Sequence, residues 1–147
     1  MHSKHAQHVD FLNRHERYAV AKIAGIEACW AFNRQYGTRF VAVMPTNLYG
    51  PNDNYDLSSS HVLPAMVRRF VDATEKRVER VTLWGTGSPL REFLYSDDLA
   101  AACCLLLSLT DQEIQQVINN DRPPLINIGS GQEVTISELA ARVAKKV

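Results

Sequence analysis

Tyr18 and Lys22 stand four residues apart in the run Tyr18-Ala-Val-Ala-Lys22. On a helix that spacing puts both side chains on one face, one turn apart. An ammonium beside a phenol favours the phenolate and lowers the phenol's pKa from its usual value of about 10. Such a pair can give or take a proton near neutral pH. The same spacing also arises by chance in many helices, so the pair alone does not define a site. His2, His5, His8 and His15 lie ahead of it, scattered among Lys, Gln, Asn and Arg. The first three fall on one helical face and could ligate a metal, but no carboxylate or cysteine cluster supports them, and no metal is expected. Residues 1–17 read instead as a divergent, polar N-terminal segment, solvated or frayed. Cys29, Cys103 and Cys104 form an odd set without C-x-x-C spacing, and the adjacent pair sits in an apolar run as small buried hydrophobes.

The elements that must position the Tyr18–Lys22 pair follow from composition and pattern. The chain has 147 residues, 46% of them hydrophobic, which is about one domain with a real core. Sixteen basic and sixteen acidic residues balance, so neither nucleic acid nor an anionic membrane is an expected partner. The longest apolar run, residues 99–107, is far short of a membrane span, and the first seventeen residues carry no apolar signal-peptide region. These features predict a cytoplasmic protein.

The pattern predicts a helix over 18–36, apolar on nearly every face and therefore buried on all sides, against another subunit or against sequence outside the chain. Gly37 is its stop. Residues 38–44 (TRFVAVM) read as a buried parallel strand ended by Pro45, and 46–53 as a loop. A second helix is expected over 61–77, with Pro64 in its first turn. A short strand is expected over 81–84, then a Gly-Thr-Gly-Ser-Pro turn, then an extended segment 91–95. Ser96 should cap a helix running to about Leu109, with Asp97 and Asp98 in its first turn. Residues 110–124 read as a loop and 125–128 as a strand. Thr135 with Glu138 makes a capping box for a last helix, 136–147. Alternating helices and strands predict an α/β layered fold.

Four stretches, in order, carry a resemblance: Tyr18-Ala-Val-Ala-Lys22-Ile-Ala-Gly25, Met44-Pro-Thr-Asn-Leu-Tyr-Gly-Pro-Asn-Asp53, Ser60-His61-Val-Leu-Pro-Ala-Met-Val-Arg-Arg69-Phe, and Leu83-Trp84-Gly-Thr-Gly-Ser-Pro-Leu-Arg91-Glu-Phe-Leu. Together they resemble the GDP-L-fucose synthases of the extended short-chain dehydrogenase/reductase superfamily, over residues 18–147. The resemblance implies the central and C-terminal part of a Rossmann-like fold, acting as a partial NAD(P)- and substrate-binding domain. The N-terminal dinucleotide-binding unit is absent, since no GxxGxxG or GxGxxG occurs in this sequence.

The resemblance also assigns roles. Tyr18 protonates the C4 oxygen of the sugar as hydride arrives from NADP(H), and Lys22 holds the nicotinamide ribose. Pro45, Thr46, Asn47 and Leu48, with His61, line the nicotinamide end of the cofactor. His61 is also the acid that reprotonates the sugar carbon during epimerisation, and an imidazole pKa near 6.5 suits that task. Arg69 and Arg91 grip the GDP pyrophosphate, and Trp84 packs on or beside the guanine or its ribose. Without the resemblance, residues 45–51 read as a tight turn, His61 as a locally bonded helix-start residue, Arg68-Arg69 as a solvated face and Trp84 as core. The implied substrate is GDP-4-keto-6-deoxy-D-mannose, epimerised at C3 and C5 and then reduced at C4. Apart from the resemblance, a homodimer through helix 18–36 is expected, because a helix apolar all round is costly to expose. The family's upstream serine and cysteine and its downstream lysine have no counterpart here, so the chain reads as a fragment cut at both ends and inactive alone. The alternatives are another nucleotide-sugar epimerase or dehydratase of the same superfamily, or a non-catalytic remnant that binds a GDP-sugar or dimerises.

Overall fold

The computed structural model describes the backbone of residues 3–118 and 121–147, and side chains from residue 16 onward within that range. The histidine set His2, His5, His8 and His15 lies outside the described side chains. The chain divides into two compact units, residues 1–44 with 106–126, and residues 45–105 with 127–147.

The first unit opens on α1 (Ser3–Tyr36), one continuous helix that begins well before the expected start at Tyr18. It ends at Gly37, whose φ of 64° is left-handed and whose N–H reaches the Asn33 carbonyl at 3.0 Å. Asn33 organises the exit from the helix. Its buried side chain donates to the Phe40 carbonyl and accepts from the Thr38 hydroxyl and the Phe40 N–H, each at 2.8 Å. One amide thus turns the chain from α1 toward β1 (Ala42–Pro45). Within this chain the apolar residues of that helix stay exposed, among them Tyr18, Val20, Ile23, Phe32 and Tyr36, so the chain itself does not supply the cover expected from another subunit or from sequence outside it. The region expected to be a loop at 110–124 contains α4 (Asp111–Val117). Thr110 and Glu113 form a reciprocal capping box at its start, and Ile114 is buried beneath it. Arg39 pairs with Asp111, but both are exposed, so the pair adds little.

β1 pairs with β4 (Leu125–Ile128). The Ala42 N–H donates to the Pro124 carbonyl and the Thr46 N–H to the Ile128 carbonyl. Both partners advance together, as in a parallel pair.

The second unit holds a three-stranded sheet in the order β2 (Asn47–Tyr49), β3 (Leu90–Tyr95), β5 (Glu133–Thr135). β2 runs parallel to β3 with Leu48 opposite Leu94, and β3 runs antiparallel to β5 with Arg91 opposite Val134. Residues 47–49 therefore form a strand where a loop was expected. The strand expected over 81–84 does not form; that segment is irregular, with Leu83 packed on the core. The other elements are α2 (Val62–Glu75), α3 (Ser96–Ser108) and α5 (Ile136–Lys146).

The core of this unit is written in two matching patterns. Leu63, Met66, Val67 and Phe70 recur at i, i+3, i+4 and i+7 on α2, and Ile136, Leu139, Ala140 and Val143 do so on α5. The two stripes meet around Met66, only 3% exposed, with Phe93 and Val134 of the sheet against them. Burying a side chain like Met66 contributes on the order of 1.5–3 kcal/mol.

α5 is closed at its N-terminus by the capping box expected from sequence. Thr135 accepts from the Glu138 N–H at 3.1 Å, and the Glu138 carboxylate accepts from the Thr135 N–H at 2.9 Å. Those bonds, the backbone one first, hold the Glu138 carboxyl below its ordinary value of 4.5. A group with a depressed folded-state pKa stabilises above its unfolded value and loses that contribution as pH falls through the folded one. Acid titration of stability should therefore show a Glu138 component that declines below pH 4.5. In Glu138→Gln that component should vanish from the urea-unfolding pH profile. Thr135→Ala should cost about 1 kcal/mol at neutral pH.

Candidate functional site

The second unit contains a cleft of about 340 Å³ between α2, the loop that precedes it and the segment 83–91. Arg69 and Arg91 both line it, as does Trp84. The Arg69 guanidinium lies over the Trp84 ring, 4.9 Å from its centroid. That stacking places a permanent charge on the indole face, a cation–π contact. Arg91 Nη1 donates to the Leu90 carbonyl at 2.7 Å, which fixes the guanidinium close to its own strand. Among the described residues no carboxylate lines the cleft, so it combines two cations with the apolar surfaces of Leu83, Met66 and Ile136. Trp84 is 83% exposed, which makes it a ring open to a ligand rather than a core residue. The chemistry of this cleft suits a ligand with a dianionic or polyanionic centre and a flat aromatic or sugar end.

Three residues named from sequence thus come together: Arg69, Trp84 and Arg91. Their convergence has a plain local cause. Arg69 follows Met66 by three positions on α2, so its stem emerges beside the buried stripe. The segment between Trp84 and Arg91 doubles back through Gly85 and Gly87, with φ of 84° and 76°.

His61 is the N-cap residue of α2, exposed, with no side-chain capping bond. Its imidazole is therefore not consumed in closing the helix. It stands between Ser60 and Val62, which both line the cleft, but is not itself among the lining residues. Ser60 is one that residue spacing did not single out. Its Oγ is buried without a hydrogen-bond partner, a fact of packing that no pattern displays. The loop leading to it, 54–60, is ordered by Asp56. That carboxylate accepts from the Ser58 hydroxyl and N–H and from the Ser59 N–H. The bonds from Ser58, foremost, hold the Asp56 carboxyl below its ordinary 3.8.

Pro45 ends β1, and Thr46 leads directly into β2 with Asn47 and Leu48. Asn47 Nδ2 donates to the Glu92 carbonyl at 2.9 Å. Thr46 Oγ1 is buried and has no partner, so the strand end holds one unused polar group. A loop at the carboxyl end of a parallel strand is where α/β folds take ligands.

Tyr18 and Lys22 belong to the first unit. They share one face of α1, both exposed, with the Lys22 ammonium 5.4 Å from the Tyr18 ring centroid. The ammonium lies over the ring, and both polar groups face solvent. Among the described residues no group of three or more His, Cys, Asp or Glu is placed to hold a metal ion. No helix among them is long and apolar enough to cross a membrane.

The chain belongs to the NAD dependent epimerase/dehydratase family, whose sequence profile matches residues 2–129. That match reaches into residues 1–17. Within the family, the chain is 50% identical over 134 residues to the GDP-L-fucose synthase of Escherichia coli K12, covering 90% of this chain and 41% of that protein. It is 53% identical over 132 residues to GDP-L-fucose synthase 1 of Arabidopsis thaliana, covering 90% of this chain and 38% of the relative. Among solved structures it is similar to a GDP-mannoheptose C4 reductase from Campylobacter jejuni with NADP bound, at 32% identity and a TM-score of 0.67, over 87% of this chain and 46% of that one. The chain thus spans about two fifths of the length of the curated relatives it matches. The family match and the layered helices and strands agree with the α/β class read from sequence.

Proposed function

We propose that this chain carries the sugar-nucleotide cleft and the proton-transfer residues of a GDP-L-fucose synthase, which converts GDP-4-keto-6-deoxy-D-mannose to GDP-L-fucose. The observation that carries this reading is the convergence of Arg69, Trp84 and Arg91 on one cleft without a carboxylate. Two guanidinium groups match a pyrophosphate in charge and in planar donor geometry. The exposed Trp84 ring offers its face to guanine or ribose.

NADPH is the proposed cofactor, and when bound it supplies the hydride. The residues present fit only one end of it. Tyr18 and Lys22, accessible on one helical face, suit the nicotinamide ribose, and Thr46 has an unpartnered hydroxyl free for a polar group of the cofactor. No Gly-rich pyrophosphate turn occurs within the 147 residues. In the reaction, Tyr18 gives its proton to the C4 oxygen as negative charge develops there, with the Lys22 ammonium over its ring. In the preceding epimerisation, His61 returns a proton to the sugar carbon. Its freedom from capping leaves a ring nitrogen for that purpose. Pro45, Asn47 and Leu48 complete the wall of the nicotinamide end.

Calorimetric titration with GDP tests the cleft. The chain should bind GDP, and Arg91→Ala or Arg69→Ala should weaken binding by about tenfold or more, the order expected when one charge-assisted contact is lost. Equal affinity in all three proteins would remove the cleft from the account. The exposed apolar residues of α1, among them Tyr18, Val20, Ile23 and Phe32, support a homodimer formed through residues 18–36. Light scattering should then give a mass that rises toward twice the monomer with concentration, and Ile23→Glu should abolish the rise. A monomer at all concentrations would contradict that assembly.

A further inference from the structure

The arm that carries Trp84 and Arg91 into the cleft has no ladder of its own until Leu90. It is held instead by the first turn of α5. The Ser137 N–H donates to the Gly87 carbonyl at 2.9 Å, and the Ile136 N–H to the Pro89 carbonyl at 3.1 Å. These are two of the N–H groups that every helix leaves unpaired at its start. Thr135 and Glu138 close the rest of the turn through the capping box. Ile136 therefore has three attachments: it holds Pro89, packs on the core and lines the cleft.

Gly87 sits where this docking is closest. A Cβ added there would meet the Ser137 Cβ at 3.1 Å, tighter than ordinary contact, and its φ of 76° is left-handed. The Ser137 atom belongs to the stem of a helical residue and cannot swing aside. A side chain at position 87 must therefore push the turn and α5 apart by a few tenths of an ångström, and Trp84 and Arg91 flank that turn on either side.

We infer that Gly87, clasped against Ser137 at the N-terminus of α5, is a positioning residue that sets the gap between the Trp84–Arg91 arm and Arg69 and so tunes the affinity of the cleft. This rests on the reading of the cleft as the GDP site. The turn is a spacer rather than a ligand: neither Gly87 nor Ser137 lines the cleft. Because the arm is tied to the helix that also supplies the core stripe, its position is set by an element packed into the core.

The test compares Gly87→Ala and Gly87→Asn with Gly131→Ala in the full chain. Asparagine tolerates a left-handed backbone, so Gly87→Asn isolates the added Cβ from backbone strain. Gly131 has a similar φ of 72° but open space around it, so Gly131→Ala supplies strain without the contact. Both position-87 variants should bind GDP about tenfold more weakly, while Gly131→Ala stays within about threefold of wild type. Adding Ser137→Gly to Gly87→Asn removes the opposing Cβ and should restore affinity to within about threefold of Ser137→Gly alone. In parallel, the Ile136 and Ser137 amides should lose hydrogen-exchange protection and the Trp84 indole resonance should move in both position-87 variants, in the absence of GDP. Wild-type affinity, exchange and indole shift in Gly87→Asn would overturn the inference, as would an equal loss in Gly131→Ala. A wild-type chain that binds no GDP would overturn the reading of the cleft, while the exchange and indole measurements would still decide whether Gly87 places the arm.

Discussion

The packing of α2 against α5 is the constraint on which the second unit depends. Met66 lies where the two apolar stripes meet, with Phe93 and Val134 of the sheet beneath. From that contact the cleft arises with little further specification. Arg69, one turn along α2 from Met66, is delivered to one wall. The start of α5 delivers Ile136 to the floor and holds the turn that carries Trp84 and Arg91. Two guanidinium groups lining one cleft repel each other, and the elements that carry them, α2 and β3, are held by a shared packed core. The stack of Arg69 on Trp84 offsets part of that repulsion, because the negative face of the ring attracts the cation.

The proposed chemistry is divided between the two units. Tyr18 and Lys22 stand on a long helix whose described apolar residues are widely exposed. Arg69 and Arg91, proposed to hold the nucleotide, stand on α2 and β3, which share a core. A proton donor needs only a correct distance to one oxygen, whereas a pyrophosphate clamp needs two donors at a fixed separation.

Much of this was legible in the sequence, for reasons that differ by element. α2 and α5 announce themselves by apolar residues at i, i+3, i+4 and i+7, and α5 also by Thr135 and Glu138. The same capping signal, Thr110 with Glu113, marks α4, but the polar stretch ending in Pro123-Pro124 obscured it. β2 is three residues long among turn formers; it exists because Leu48 and its neighbours pair with β3, a partner more than forty residues away that no local window contains. β5 is equally short and equally dependent on β3. Residues 81–84 have the composition of a strand and form none, since Leu83 reaches the core without a ladder. α1 begins at Ser3 because polar residues do not bar a helix, and they read as a break only beside the apolar run after them. Arg69, Trp84 and Arg91 were nameable from motif order. That they share a cleft, that Ser60 Oγ is unpartnered, and that Gly87 abuts Ser137 are consequences of tertiary packing.

The central claim is that Arg69, Trp84 and Arg91 act together on one GDP molecule. The most direct measurement is a ¹H–¹⁵N NMR titration that follows the Trp84 indole N–H and the arginine Nε–H signals as GDP is added. The account predicts that the signals of Trp84, Arg69 and Arg91 move together along a single saturation curve, with that of Arg39 unmoved. Shifts at Arg39 as large as those in the cleft, or saturation of the three at different concentrations, would contradict it.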